Sequence, residues 1–150
     1  MVFASQQTQR LTLSRQEPNH LLSSYSKHAI GLDGAEWPSV EHYYQAMKFE
    51  DADYREQIRN AANPTAAAKL GKSKKHGRRK DWDSLRPTYM TRGLYTKCRS
   101  HPEVAQALLN SAEQALLATS QYDHSRRRGR HIPRHKIHAT ALLAVRATLR

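Results

Sequence analysis

The stretch Trp37-Pro38-Ser39-Val40-Glu41-His42-Tyr43-Tyr44-Gln45-Ala46-Met47-Lys48-Phe49 decides how this chain is read. Ser39 is a good N-cap, since a serine hydroxyl can accept from a backbone N–H of the first turn, and a helix is expected from there to about Phe49. At 3.6 residues per turn Glu41, Tyr44, Gln45 and Lys48 fall at i, i+3, i+4 and i+7, on one face. Val40, Tyr43 and Met47 form a neighbouring apolar stripe suited to a core. An acid, a phenol, an amide and an ammonium in one row suit polar chemistry. They also suit an exposed salt-bridging face, and spacing alone favours that exposed face. His42 points about 100° away from Glu41 and reads as structural, and Tyr43 reads as core.

Upstream, His28 to Pro38 reads as a β-hairpin, with short apolar segments around Ile30 and Trp37 joined by a Leu32-Asp33-Gly34 turn. Downstream, helices dominate. Asn63-Pro64 supplies an N-cap followed by proline at the first helical position, and Gly71 can close the alanine-rich turn that follows. Asp81 or Asp83 can cap a longer helix through Leu85, Tyr89, Met90 and Leu94, which tolerates Pro87 only near its first turn. Ser100-His101-Pro102-Glu103 has the pattern of a capping box and opens a helix carrying Val104, Leu108 and Leu109. Ile137, Ala141, Leu142, Val145 and Leu149 define a last amphipathic helix. The expected fold is mainly α with a small N-terminal β-hairpin. Residues 1–18 are polar and patternless and read as a flexible leading segment, with a single domain over 19–150.

The 150 residues suffice for one domain with a real core, and an apolar fraction of 38% makes that core modest. No run approaches the roughly 18 apolar residues of a membrane span, and the first ten residues lack the pattern of a secretory signal. Cys98 is the one cysteine, which excludes an internal disulfide or a cysteine-based metal cluster. These features point to a cytoplasmic protein without a membrane partner. The net charge of +12 comes from the second half, where 18 of the 25 basic residues but 5 of the 13 acidic ones lie beyond Leu70. Two clusters carry it, Lys72, Lys74, Lys75, Arg78, Arg79, Lys80 and then Arg126, Arg127, Arg128, Arg130, Arg134, Lys136. Such clusters attract phosphate, whether in nucleic acid or in a phosphorylated small molecule, or else are solvated basic loops. His131, His135 and His138 sit among cations without acidic partners, so no metal site is expected. No glycine-rich nucleotide fingerprint is present, so no bound cofactor is expected either.

The run WPSVEHYYQAMKF resembles the signature of the YbiA-like (NADAR) family, approximately Trp-Pro-Thr-x-Glu-His-Tyr-x-Gln-Ala-x-Lys-Phe. Before it, Leu22-Ser23-Ser24-Tyr25 and Asp33-Gly34 are similar to the family's Leu/Phe-Ser-Asn-Phe element and turn. After it, Tyr54 to Arg59, Asn63-Pro64, Ala67 to Gly71, Arg79 to Trp82, Met90, Leu94, Lys97, His101-Pro102, Leu108-Leu109 and Asp123 keep family order. The likeness resumes at Leu142 to Arg146.

The resemblance implies an N-glycosidase that hydrolyses the bond between a phosphorylated ribose and a base. The implied substrate is a ribosylamino-pyrimidine phosphate of the riboflavin pathway, or ADP-ribose attached to guanine. Cleavage through an oxocarbenium-like centre suits a nearby carboxylate, and Glu41 and Asp123 are the candidates. Lys48 would bind phosphate, orient Glu41 or react as an amine with the sugar carbonyl. Trp82 would stack on base or sugar, with a core anchor as the alternative. Tyr44 and Gln45 would supply hydrogen bonds, with Ser23 and Arg126 as further substrate-binding residues.

Four departures bear on activity. Ser24 stands where the family usually has Asn, and Ala118 where it has an acidic residue. Counting without a gap from Asp123, Arg126-Arg127 replace a Trp-Gly, and Lys136 with His138-Ala139 replaces an Asn-x-Leu-Gly. Only Gly129 remains of a glycine-rich loop, and arginines cannot give the close backbone approach that glycines allow. Either the arginine tract re-specifies the site or catalysis is impaired. The alternative function is a catalytically weak relative acting as a basic nucleic-acid-binding module through the Arg126–Lys136 tract.

Overall fold

The computed structural model describes residues 19–111 and 136–150. Among them the chain forms two short strands and six helices, the mainly α architecture with a small hairpin that the sequence implies. Strand β1 (Ile30–Leu32) pairs antiparallel with β2 (Ala35–Trp37), with Ile30 opposite Trp37 and Leu32 opposite Ala35. The two-residue turn between them needs left-handed backbone at both positions, which Asp33 (φ 56°) and Gly34 (φ 79°) adopt. The Asp33 carboxylate then accepts from Tyr43 Oη at 3.3 Å and from Arg92 Nη2 at 2.8 Å, tying the turn to two helices.

Helix α1 (Val40–Ala46) starts where the sequence places it but stops at Ala46, short of the expected end near Phe49. Ser39 Oγ accepts from His42 N at 3.2 Å, and all seven helical residues are buried. Helix α2 (Ala52–Arg59) is not evident from periodicity, because only Tyr54 and Ile58 are buried along a strongly polar segment. Asp51 caps it, accepting from Asp53 N and Tyr54 N. Helix α3 (Pro64–Leu70) follows its Asn63 cap, whose Oδ1 accepts from Ala66 N at 2.8 Å.

The long helix α4 (Trp82–Ser100) runs across the domain and packs on α1, on β1, on α5 (Pro102–Asn110) and on α6 (Ile137–Leu149). Gly93 lets α4 approach α1, since a Cβ there would lie 2.9 Å from Val40 Cγ1. Tyr43, Phe49, Ile58, Trp82, Met90, Leu94 and Leu108 fill the core between these elements.

Gly71 closes α3 as expected: it is the C-cap, in right-handed helical conformation at φ −67°, and its N–H donates to Ala67 O. Three local expectations are corrected. The Ser100-x-x-Glu103 box does not form. Ser100 is the last residue of α4, and His101 stands as extended cap between α4 and α5 without a side-chain capping bond; its ring nitrogen instead donates to Ala29 O at 2.7 Å. Asp81 precedes α4 but makes no capping bond there, and Pro87 lies in the second turn of that helix rather than the first. No helix among the described residues is long and apolar enough to cross a membrane.

Candidate active site

The face of α1 that spacing alone assigns to solvent is buried. Glu41 is 0% exposed, and Tyr44, Gln45 and Lys48 are buried beside it. The exposed salt-bridging face is therefore overturned, and the reason is tertiary: α2, α3 and α4 all pack on this seven-residue helix. A carboxylate taken out of water needs donors, because burial without them costs several kcal/mol. Glu41 has them on both oxygens. Ser24 Oγ donates to Oε1 at 2.8 Å and Gln45 Nε2 donates to Oε2 at 2.6 Å.

Gln45 in turn is set by Gly71. A Cβ on Gly71 would lie 2.0 Å from Gln45 Oε1 and 2.8 Å from its Cδ. Gly71 caps α3, and its lack of a side chain is also what lets the amide approach so closely. Gln45 Oε1 itself is buried without a hydrogen-bond partner. The Nζ of Lys48, just beyond the end of α1, donates to Gly71 O at 3.3 Å, so Gly71 meets both the Gln45 amide and the Lys48 ammonium.

Ser24 is placed by a turn over residues 20–26 whose carbonyls are met in succession from three helices. Lys97 of α4 donates to Leu21 O at 2.5 Å and to Ser23 O at 2.8 Å. His138 of α6 bonds Leu22 O at 2.8 Å through Nε2, which must carry the proton because a carbonyl only accepts. Glu41 N of α1 donates to Ser24 O at 3.0 Å. Lys97 is almost fully buried, and that burial pulls its ammonium down to about 7. Ser23, named from the sequence as a substrate-binding residue, is buried with its Oγ accepting from Tyr25 N at 3.0 Å.

Trp82 is 1% exposed. Its ring lies against Tyr44 (5.2 Å between centroids) and stacks on Tyr89 (5.9 Å), with the Arg86 guanidinium 5.6 Å over it. These contacts are those of a core anchor, and its indole Nε1 is left without a partner. His42 is structural in its contacts: Nε2 donates to Ala61 O at 3.1 Å and Nδ1 meets Ser39 Oγ at 2.7 Å. Burial lowers its pKa and favours the neutral ring. Asp123 and Arg126 lie outside the described residues. Lys136 is described and buried at the start of α6, so that end of the arginine-rich tract is not a solvated charge. Among the described residues no three His, Cys, Asp or Glu side chains group to hold a metal ion.

The structure thus brings Ser24, Glu41, Gln45, Lys48 and Gly71 into one connected buried cluster. Ser24, Gly71, Lys97 and His138 had no site role in the sequence reading. Their signals were weak: a serine at a family asparagine, a glycine whose evident role is to close a helix, a lysine merely in family order, and a histidine in a basic run. A carboxylate held at both oxygens, in a fixed orientation and away from water, can stabilise developing positive charge or take a proton.

Fold and cluster together define a mainly α domain built around a buried Glu–Gln helix. The chain belongs to the NADAR family, whose domain model matches residues 2–129. It is 37% identical over 101 residues to the N-glycosidase YbiA of Escherichia coli (strain K12), covering 67% of this chain and 63% of that protein. It is 34% identical over 110 residues to the N-glycosidase Npun_R5314 of Nostoc punctiforme, covering 71% and 70% of the two chains. A 33% match over 116 residues reaches the riboflavin biosynthesis protein PYRR, chloroplastic, of Zea mays, but spans 19% of it. The NMR structure of E. coli YbiA superposes with a TM-score of 0.67 at 27% identity, over 95% of this chain and 90% of that one.

Proposed function

We propose that this chain is an N-glycosidase that hydrolyses the bond joining a phosphorylated ribose to a base. The substrate is a ribosylamino-pyrimidine phosphate of the riboflavin pathway or ADP-ribose on guanine. The observation that carries the reading is the Glu41 carboxylate, buried and gripped at both oxygens by Ser24 and Gln45 on the helix that bears the family signature. Membership of a family that includes named N-glycosidases supports it.

In this reading Glu41 stabilises the oxocarbenium-like centre or activates the attacking water, and its orientation is preset by its two donors. Lys48, in the turn that follows α1, meets the phosphate or polarises the sugar. Tyr44 and Gln45 bond the substrate, and Trp82 backs Tyr44 from the core. Asp123 contributes a second carboxylate, with Arg126 as a phosphate contact.

The test is release of free base from a ribosylamino-pyrimidine phosphate and from ADP-ribosylated guanosine, comparing the native chain with Glu41→Gln. The expected result is release from one of the two substrates, reduced about 10²–10³-fold in kcat by Glu41→Gln while thermal unfolding shows the variant folded. No release from either substrate by the folded native chain overturns the reading. So does a Glu41→Gln variant that turns over at the native rate.

A further inference from the structure

We propose that the loop of residues 72–80, between α3 and α4, is a docking surface for the sugar–phosphate backbone of a nucleic acid strand. The loop carries Lys72, Lys74, Lys75, Arg78, Arg79 and Lys80 and no acidic residue. Lys72, Lys74, Lys75, Arg78 and Lys80 are exposed, and among the described residues none of the five is ion-paired. Arg79 is the exception, committed to Asp81 at 3.2 Å and to Tyr89 Oη at 3.2 Å.

The backbone beneath these cations is held at several points. Arg79 N donates to Lys48 O at 2.7 Å, and Phe49 forms an antiparallel bridge with Arg78. The His76 ring stacks on Tyr54 at 3.6 Å and 7°, and meets Ser73 Oγ at 2.8 Å through Nδ1. Ser73 Oγ also accepts from Lys75 N at 3.1 Å, and Gly77 supplies the left-handed turn at φ 70°. Five unpaired cations are thus fixed on one short frame. Neighbouring cations in the sequence add their fields, and a polyanion that spans the loop gains from all five.

The partner follows from that geometry. A single phosphate group needs two or three cations converging on it, whereas five spread along nine residues match a chain of phosphates and gain from counterion release. An anionic membrane is the weaker fit, since residues 72–80 contain no apolar side chain to enter the lipid interface. The loop joins directly to the end of the α1 segment through Lys48 and Phe49, so a docked strand would pass beside the helix that carries Glu41.

The experiment measures binding of the full chain to a labelled oligonucleotide, single-stranded and duplex, across a salt series, with no turnover involved. Lys74→Ser/Lys75→Ser/Arg78→Ser removes three exposed cations; Arg126→Ser/Arg127→Ser/Arg128→Ser removes three from the other cluster. The loop variant is expected to weaken binding at least tenfold and to reduce the slope of log Kd against log salt by about 2–3. The proposal is overturned if the native chain does not bind, or if the loop variant binds with unchanged affinity and slope. It is equally overturned if the loop variant loses affinity for phosphatidylserine vesicles but not for the oligonucleotide. Because binding is read without catalysis, failure here leaves the glycosidase reading standing, and loss of base release leaves this one standing.

Discussion

The turn that follows helix α1 touches the 72–80 loop through Lys48 and Arg79, yet α1 and the loop handle polar groups in opposite ways. On α1 the carboxylate is buried and bonded at both oxygens, one of them by the Gln45 amide nitrogen. On the loop the backbone is tied down and most of the charges are left in water. The difference separates two kinds of information. Net charge describes the loop, where cations meet solvent and long-range partners. It says nothing about α1, where removing one partner of a buried, bonded group costs about 1–3 kcal/mol.

The sharpest way to break the comparison is to remove the carboxylate. Glu41→Ala leaves Ser24 Oγ and Gln45 Nε2 without their acceptor at a position that is 0% exposed. A loss of about 3–5 kcal/mol in urea unfolding is expected, combining a cavity with two stranded donors. A loss below about 1 kcal/mol would mean that the face relaxes to solvent and is not the tight cluster described.

Gly71→Ala comes next. Its Cβ would collide with Gln45 Oε1, which can move only by giving up its place beside Glu41. About 1–3 kcal/mol of destabilisation is expected. In a Gln45→Ala background the same substitution should become nearly neutral, and the double-mutant cycle measures that coupling. Additive losses would show that Gly71 matters for some other reason.

How far the sequence revealed these features depended on whether local spacing or tertiary packing decided them. The hairpin, the Ser39 and Asn63 caps and the last helix were legible because each is set by residues within a turn of one another. So was the row Glu41, Tyr44, Gln45, Lys48, but not its burial, which three other helices impose. The role of Gly71 was hidden because a glycine after an alanine-rich helix has an ordinary local explanation. Helix α2 was hidden because a segment with Tyr54 and Ile58 as its only buried residues has little apolar pattern to display. The likeness to the NADAR signature pointed to the helix that carries the buried cluster, but Ser24 entered it only as a departure. In the structure that departure is a direct donor to Glu41.

Lys97 tests the turn that carries Ser24. Burial lowers its ammonium to about 7, against about 10.4 for a lysine in an unfolded chain. Above that upper value both states are neutral and the contribution to stability is complete. As pH falls towards 7 the unfolded chain takes up a proton that the folded one refuses, so stability is lost. Below 7 the dependence flattens. The native chain should therefore gain on the order of 2 kcal/mol from this group between pH 7 and pH 9. Lys97→Met should lose that gain, and urea midpoints at the two pH values for both proteins decide it. An identical pH difference in the variant would assign the effect to another group.

The smallest effect is expected on the loop, and it sharpens the comparison by its smallness. Lys74→Ser/Lys75→Ser/Arg78→Ser removes three exposed side chains while keeping the Arg79–Lys48 backbone bond and the His76–Tyr54 stack. Surface substitutions of this kind usually change stability by less than about 0.5 kcal/mol. Here the sign should be slightly favourable, because neighbouring like charges repel, and the gain should shrink as salt is raised. Urea midpoints at low and high ionic strength measure both. A destabilisation above about 1 kcal/mol, independent of salt, would show that these cations hold the loop in place. They would then belong with Glu41 and Gln45 as structural polar groups, and the contrast between a tied face and a solvated one would fail at this point.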